Sequence, residues 1–249
     1  MVKITSAENG RIKEICRLTE KKYRARYGKF MIEGYRNVKD SLPYLSHAEI
    51  YVAESSLQKY CGEFNVDFVC ADAAFAKMSD TKNSQGIICV ADICTKALDF
   101  SKNCIFLDGV SDPGNLGTIL RSCVATGCSN VIIRGGVDCY NPKVVRSSMS
   151  AVSMLNIIES RETDILSQLK GEGYKIICAD MKGQNLFDIR AGIDKFCLIV
   201  GAEADGVSSE VMDLADIVVC LPMENIESLN VAVCASIMMY QLKFRKNGG

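Results

Sequence analysis

The chain has 249 residues, with 29 Lys and Arg against 30 Asp and Glu, thirteen cysteines and a single histidine. A hydrophobic fraction of 48% and a charged fraction of 24% are typical of a globular protein and exclude extensive disorder. An odd number of cysteines with no CxxC pair argues against a disulfide framework, and His47 alone excludes zinc sites that need two imidazoles. We therefore expect no metal, and we interpret most cysteines as small buried apolar residues.

The sequence carries no membrane signal. Its longest apolar run, residues 231–240, is far shorter than a membrane span, and the first residues lack the apolar core of a signal peptide. No lipidation motif favours a membrane anchor. The expected location is the cytoplasm, with no membrane partner.

The first 90 residues alternate helical and extended patterns, which predicts a small α/β domain. Residues 6–22 have helical spacing, with Ser6 as a plausible N-cap. A short strand at 30–32 and a helix at 35–42 follow. Further strands are predicted at 50–52, 66–69 and 87–90. Residues 91–103 break the pattern and are the predicted linker.

Residues 104–249 contain five continuous apolar runs separated by helical stretches. Such runs are expected for strands buried on both faces, so we predict a mostly parallel sheet with helices on both faces. The predicted strands are 104–107, 131–133, 175–179, 197–200 and 217–221. The predicted helices are 116–126, 142–153, 163–170, 208–215 and 228–243.

The near-zero net charge hides an asymmetry along the chain. Residues 1–40 hold eleven basic and five acidic side chains, a local charge of +6, and the other 209 residues carry −7. This basic segment could dock a polyanion such as RNA, or it could be the solvated face of an amphipathic helix. Charge alone does not separate these alternatives. The candidate RNA-binding residues are Lys21, Lys22, Arg24 and Arg26.

Three predicted strands are followed by unusual segments, at the sheet edge where ligands bind in parallel α/β folds. The first segment, residues 108–121, has glycines at P-loop spacing, but Asn115 stands where a P-loop needs lysine. The second, residues 201–208, places Glu203 between glycines. The third, residues 221–231, places Ser228 and Asn230 at the start of an apolar helix, where Ser228 could act simply as an N-cap. No GxGxxG fingerprint is present.

Together, these segments resemble the SpoU family of the SPOUT superfamily, the S-adenosylmethionine-dependent RNA ribose 2'-O-methyltransferases. The resemblance rests on three motifs in order, DPGNLGTILR (motif one, 112–121), GAEADG (motif two, 201–206) and PM…SLNVAV (motif three, 222–233), and on residues 140–149. The first 90 residues, with the segment FMIEG at 30–34, resemble the family's ribosomal-protein-like substrate-binding domain. Two departures are Asn225, in a shortened motif-three loop, and Ser150, where the family has glycine.

The resemblance implies two domains, a ribosomal-protein-like α/β domain for RNA binding at 1–90 and a methyltransferase domain at 104–249 with a deep trefoil knot. It also implies a homodimer and S-adenosylmethionine as cofactor. The implied cofactor contacts are Ala179, Gly201, Leu221, Met223, Ser228 and Leu229. The implied active-site residues are Asn115, Arg121, Glu203, Ser228 and Asn230.

The scarcity of histidine limits how a ribose hydroxyl can be activated, because His47 lies outside the motifs. Arg121 is the family's proposed activating residue, but arginine stays protonated in proteins. We therefore expect Arg121 to orient the ribose and stabilise negative charge on its oxygen. Asn115 is expected to hold Arg121 or the ribose, and Asn230 with Ser228 to fix the motif-three loop. The proton would pass to Glu203, a phosphate or water. Cys123, on the same helix, is the one cysteine expected to be thiol-sensitive.

The expected function is methyl transfer to a ribose 2'-hydroxyl of structured RNA, 23S ribosomal RNA before other substrates. Two alternatives stay open: a tRNA ribose methyltransferase, and a non-catalytic RNA-binding protein on the same scaffold. An oxidoreductase is a distant third, because its glycine fingerprint is missing.

Overall fold

The computed structural model describes residues 1–189 and 193–245. The described chain forms two compact units, the first from Met1–Cys94 and Asp138–Met154, and the second from Thr95–Val137 and the described residues of Leu155–Gly249. In the sequence, residues 138–154 of the first unit therefore interrupt the second unit. None of the described helices has the length and apolar character needed to cross a membrane.

A five-stranded mixed sheet organises the first unit, with the strand order β1-β4-β3-β5-β2. Its strands are β1 (Val2–Ile4), β2 (Lys29–Glu33), β3 (Ala48–Ala53), β4 (Phe68–Cys70) and β5 (Ile87–Asp92). Its helices before Cys94 are α1 (Gly10–Arg17), α2 (Lys21–Tyr27), α3 (Tyr35–Ser41), α4 (Leu57–Tyr60) and α5 (Asp72–Met78). Strands β3 and β5 pair antiparallel, whereas β3 and β4 pair parallel.

The N-terminal helix differs from the prediction, because it begins later and is broken in two. The side chain of Asn9, not that of Ser6, caps α1 by accepting the Arg11 amide, while Ser6 accepts the amide of Glu8. Leu18 is buried at the corner that follows. Gly28, with φ +62°, ends α2 in the left-handed conformation that glycine adopts readily. The basic residues 21–27 thus form a helix of their own.

Residues 138–154 pack within the first unit. The rings of Phe30 and Tyr140 have centroids 4.8 Å apart, and Arg146 pairs with Asp80 at 3.1 Å. The single helix predicted over 142–153 is two short helices, α7 (Pro142–Ser147) and α8 (Ala151–Met154). The break falls at Met149 and Ser150, whose φ values of +47° and +74° cannot continue a right-handed helix.

The second unit holds a six-stranded sheet in which all pairs are parallel, with the order β11-β9-β10-β6-β7-β8. Its strands are β6 (Cys104–Asp108), β7 (Asn130–Arg134), β8 (Asn156–Glu159), β9 (Lys175–Asn185), β10 (Phe196–Gly201) and β11 (Ile217–Cys220). Its helices are α6 (Pro113–Thr126), α9 (Asp164–Gly171), α10 (Ser209–Met212) and α11 (Val231–Phe244). The predicted α/β fold with a parallel sheet is confirmed.

The core of the second unit follows from its central strands, since every residue of β6 and β10 is buried. Phe106 and Ile199 join one apolar cluster with Leu166 of α9 and Val211 of α10. Helix α11 contacts α6 and β10. Two predictions were wrong here: β8 was missed, and the final helix starts at Val231 rather than at residue 228.

All thirteen cysteines are free, and eight of them are buried. This agrees with the interpretation of most cysteines as small apolar core residues. Cys123, expected to be thiol-sensitive, has no exposed surface and contacts the sulfur of Met239 at 3.7 Å. That expectation was wrong, because the thiol points into the packing between α6 and α11 instead of toward solvent.

Candidate active site

The three motifs meet at one edge of the parallel sheet in the second unit. Motif one follows β6, motif two follows β10 and motif three follows β11, while Ala179 lies on β9. These four strands are consecutive in the sheet order, and parallel strands all end on the same side. The sheet therefore brings together segments that are more than 100 residues apart in the chain.

Glu203 of motif two binds the motif-one loop. Its carboxylate accepts hydrogen bonds from the Ser111 amide at 3.3 Å, the Ser111 hydroxyl at 3.1 Å, the Asp112 amide at 3.2 Å and Asn115 Nδ2 at 2.8 Å. Partial burial raises the pKa of Glu203, but hydrogen bonds from Asn115 and the backbone outweigh it and lower the pKa to about 2. A carboxylate with four donors and so low a pKa is a poor proton acceptor, so Glu203 holds the loop.

Asn115 joins motif two to motif three. Its Nδ2 donates to Glu203, and its Oδ1 accepts a 2.8 Å hydrogen bond from Asn230 Nδ2. The Oδ1 of Asn230 in turn accepts the amides of Ala232 and Val233, so Asn230 is the N-cap of α11. The alternative that Ser228 caps this helix was wrong, because Ser228 lies outside it.

A pocket next to this network brings together most of the implied cofactor contacts. Ala179, Leu221, Met223, Ser228 and Leu229 all line it. The other lining residues are Asp180, Met181, Val219, Cys220, Cys234 and Met238. Apolar and thioether groups with one carboxylate and one hydroxyl fit a nucleoside, whose base is flat and apolar and whose sugar carries hydroxyls. The predicted Gly201 is not among these lining residues.

Arg121 does not join the Asn115 network. It lies six residues after Asn115 on α6, which places it about 120° around the helix axis. The expectation that Asn115 holds Arg121 was wrong, because Asn115 is bonded to Glu203 and Asn230. Arg121 is exposed, and no hydrogen bond or ion pair of its guanidinium is found within the described residues. Its charge is therefore available to a substrate.

Comparison with known proteins identifies the family to which this arrangement belongs. Residues 102–240, more than half of the chain, match the SpoU rRNA Methylase family. The chain belongs to the SpoU family. Residues 9–89 match the MRM3-like substrate binding domain.

Several relatives align with nearly the whole of this SpoU protein. The 23S rRNA (guanosine(2553)-2'-O)-methyltransferase RlmP of Bacillus subtilis is 29% identical over 98% of this chain and 100% of its own. A solved RNA 2'-O ribose methyltransferase is 29% identical with a TM-score of 0.78, covering 96% of this chain and 97% of that one. A solved TrmH-family protein from Porphyromonas gingivalis is 28% identical with a TM-score of 0.85, covering 94% and 97%.

Sequence reasoning missed two residues that anchor the motif-two loop of this SpoU protein, Asp108 and Arg134. Asp108 accepts the Ser208 amide at 2.8 Å, and Arg134 Nη1 donates to Asp108 at 2.9 Å and to the Ser208 hydroxyl at 3.1 Å. Arg134 also pairs with Glu210 at 2.6 Å. A charged residue at the end of a buried strand was the available signal, since a buried carboxylate needs a partner.

Gly201 has a structural explanation in the same loop. Ala202 and Gly206 exchange two backbone hydrogen bonds of 3.0 Å, which fold the loop back on itself. A Cβ on Gly201 would lie 2.0 Å from the carbonyl carbon of Gly206. Glycine is therefore required at position 201, because two backbone segments approach closely there. Their close approach closes the loop that carries Glu203.

The candidate RNA-binding residues in the first unit do not share one environment. Lys21, Lys22 and Arg26 are exposed on α2. Arg24 is 3% exposed, donates to the Leu18 carbonyl and pairs with Asp138 at 2.5 Å. The prediction that Arg24 contacts RNA was wrong, because its guanidinium is buried and forms an ion pair with Asp138 inside the first unit.

Proposed function

We propose that this chain transfers a methyl group from S-adenosylmethionine to a ribose 2'-hydroxyl of ribosomal RNA in the cytoplasm. One observation carries the proposal. In the short segment 228–230, Ser228 and Leu229 line the pocket whose chemistry fits a nucleoside, and the next residue, Asn230, donates to Asn115 of the Asn115–Glu203 network. Family membership and the B. subtilis relative, which is aligned over its full length, support the same reaction.

The residues divide the work between binding and positioning. The apolar lining, including Leu221 and Met223, holds the adenine, while Asp180 and Ser228 offer polar atoms to the ribose and amino-acid part. When bound, the cofactor supplies an electrophilic methyl group. Glu203 and Asn115 keep the motif-one loop and α6 in place, so that a ribose hydroxyl can be aligned with that methyl group.

Arg121 is the group best suited to the reacting oxygen. Its guanidinium is exposed and unpaired within the described chain, and it offers several donors in a planar fork to an anionic oxygen. It therefore orients the ribose and stabilises the negative charge that develops on the 2'-oxygen. Because Glu203 is occupied by four donors, the proton leaves to water or to a phosphate of the RNA itself.

We also propose that the chain forms a homodimer and that one face of α11 binds the second copy. Val233, Ile237, Tyr240 and Phe244 follow one another at steps of four, three and four residues and are 46%, 39%, 49% and 57% exposed. That spacing places all four on one side of the helix, which is a continuous apolar stripe of the kind buried in homodimers. Light scattering on the Ile237→Lys variant tests this, with a monomer expected.

The trefoil knot belongs to the same proposal. A Cβ on Gly183 would lie 2.5 Å from the backbone of Val219, and Cys220 Sγ contacts the Gly183 carbonyl at 3.1 Å. Strand β11 thus passes very close to the end of β9 just before the motif-three segment. The two strands pair in parallel there with a shift in register, and membership of the SpoU family supports our proposal that residues 221–244 are threaded.

Incubation with methyl-labelled S-adenosylmethionine tests the reaction. Unmodified 23S ribosomal RNA and total tRNA are supplied separately, and labelled products are mapped for 2'-O-methyl groups. We expect label in the ribosomal RNA, and we expect Arg121→Ala to abolish it while calorimetric cofactor binding remains. Label found only in tRNA would show that tRNA, and not ribosomal RNA, is the substrate. Absence of cofactor binding would favour a non-catalytic RNA-binding protein.

A further inference from the structure

An arginine outside the motifs is held in place on the surface of the first unit. Arg17 is the last residue of α1, and its guanidinium carbon lies 5.3 Å from the ring centroid of Tyr23 on α2. The pKa of the Arg17 guanidinium is raised, first of all by hydrogen bonding with the Tyr27 hydroxyl. Tyr23 and Tyr27 stack on each other with centroids 5.9 Å apart and an interplanar angle of 18°. Two tyrosines of one helix thus fix a charged side chain of another.

The charge of Arg17 is not neutralised within the first unit. Arg17 is fully exposed, and none of the ion pairs found in the described chain involves it. Of the two acids that lie three residues from Arg17, Glu20 is paired with Lys22 at 2.9 Å, and no ion pair is found between Arg17 and Glu14 in the described chain. Arg24, by contrast, turns inward to Asp138 on the same helix as the tyrosines. The corner between α1 and α2 therefore presents one immobilised, unpaired guanidinium among other exposed cations.

Such an arrangement favours a particular ligand chemistry. A guanidinium has donors in a planar fork that matches a phosphate, and it stacks on aromatic rings without losing its charge. Holding the side chain in advance removes most of the entropy loss that a free arginine pays on binding. An extended polyanion presents a series of phosphates, so it can contact Arg17 together with the exposed cations Lys22 and Arg26.

We propose that Arg17 is a preorganised phosphate-binding residue for the RNA backbone, positioned by Tyr23 and Tyr27. This rests on the proposed function, because it takes the RNA substrate as the polyanion. In this proposal, Arg17 contacts the RNA together with the exposed Lys22 and Arg26, whereas the buried Arg24 does not. Tyr27 acts only through Arg17 and is a positioning residue.

Equilibrium binding to a 23S ribosomal RNA transcript, without cofactor, tests the proposal. Arg17→Ala removes a charge, so we expect affinity to fall about tenfold and the slope of log K against log salt to lose about one unit. Tyr27→Phe keeps the ring and every charge but releases the guanidinium. We expect an affinity loss of about threefold with an unchanged salt slope.

Lys59→Ala is the matched control, because Lys59 is an exposed cation that also lies over a tyrosine ring, at 5.0 Å from the centroid of Tyr60. We expect it to change affinity and slope little. Equal effects of Arg17→Ala and Lys59→Ala, or wild-type affinity in Tyr27→Phe, would overturn the proposal. Because binding is measured without methyl transfer, failure of the catalytic proposal appears separately, as intact docking with no label incorporated.

Discussion

Asn115 and Asn230 lie 115 residues apart in the chain, yet their side-chain amides are joined by a 2.8 Å hydrogen bond. Each amide uses its other polar atom for a second task. Asn115 donates to Glu203, and Asn230 accepts the first amides of α11. The pair therefore links the motif-one helix, the motif-two carboxylate and the helix that follows the cofactor pocket into one connected network.

Asn230→Asp separates helix capping from this link. Aspartate caps helices as well as asparagine does, so we expect a melting temperature within a few degrees of wild type. It lacks the amide donor, however, and brings a negative charge against Asn115 Oδ1 and toward Glu203. Methyl transfer is expected to fall at least about tenfold, since the lost hydrogen bond and the new repulsion together cost more than about 1 kcal/mol. Asn230→Ala, which also loses the cap, should be less stable by about 1 kcal/mol. Full activity in Asn230→Asp would show that the link is dispensable.

Glu203→Gln tests whether this carboxylate is an anchor or a base. Hydrogen bonds lower the pKa of Glu203 from 4.5 to about 2, so its ionised form stabilises the fold above pH 4.5, and this stabilisation is lost as the pH falls toward 2. Wild type should exceed the variant by about 1 kcal/mol at pH 7, after screening at this exposed site, and the gap should close on acidification. Urea denaturation at several pH values measures it. An acid limb near neutral pH in the rate profile that disappears in the variant would instead identify a base.

Gly201→Ala should damage the motif-two loop directly. The added Cβ would lie 2.0 Å from the carbonyl carbon of Gly206, so the loop carrying Glu203 must move. Overpacking of this kind costs about 1–3 kcal/mol, and we expect activity to fall with stability. Gly171→Ala is the control, because a Cβ there has no heavy atom within 4 Å and should change neither property. A soluble, fully active Gly201→Ala enzyme would contradict the steric argument.

Ser150 allows the cost of backbone strain to be measured. Its φ of +74° suits glycine, and its hydroxyl donates to the Asn37 carbonyl at 3.3 Å. Ser150→Ala and Ser150→Gly both lose this hydrogen bond, but only glycine relieves the left-handed conformation. We therefore expect the glycine variant to be more stable than the alanine variant by about 1 kcal/mol in chemical denaturation. Equal stabilities would mean that the residue is not strained.

Asp138→Asn tests the buried ion pair of the first unit. Removing the charge leaves Arg24 buried without its counterion, which costs about 3–5 kcal/mol, so the melting temperature should drop sharply. The double variant Arg24→Met with Asp138→Leu leaves no buried charge and should lose less stability than Asp138→Asn alone. If the double variant is the less stable of the two, the pair contributes more than its own desolvation cost.

The same pair explains a limit of sequence reasoning. Charge counting identified a basic segment over residues 1–40, but it gave no indication that Arg24 faces inward. Its counterion, Asp138, lies 114 residues away and belongs to a segment between two strands of the other unit. Arg17, which was not singled out, is exposed instead. Charge counts describe a segment, whereas burial decides which of its charges can reach a partner.

Local chain breaks were also beyond pattern analysis. The helix predicted over 142–153 is interrupted because Met149 and Ser150 adopt the left-handed conformation, which neither residue type predicts. Strand β8 has only four residues, with Asn156 at one end and Glu159 at the other, so it lacks the continuous apolar run that revealed its neighbours. Such features depend on packing from outside the segment.

By itself, the sequence determined the parallel sheet and indicated most of the residues that meet at the candidate site. Strands buried on both faces must be continuously apolar, and the polar and glycine-rich segments after them stand out against that background. Only the tertiary structure decided what these residues do. It shows Glu203 bonded to the motif-one loop, Asn230 as the cap of α11 and, within the described residues, no partner for the Arg121 guanidinium. The reason is physical, since hydrogen-bond partners and burial are set by segments more than 80 residues apart in the chain.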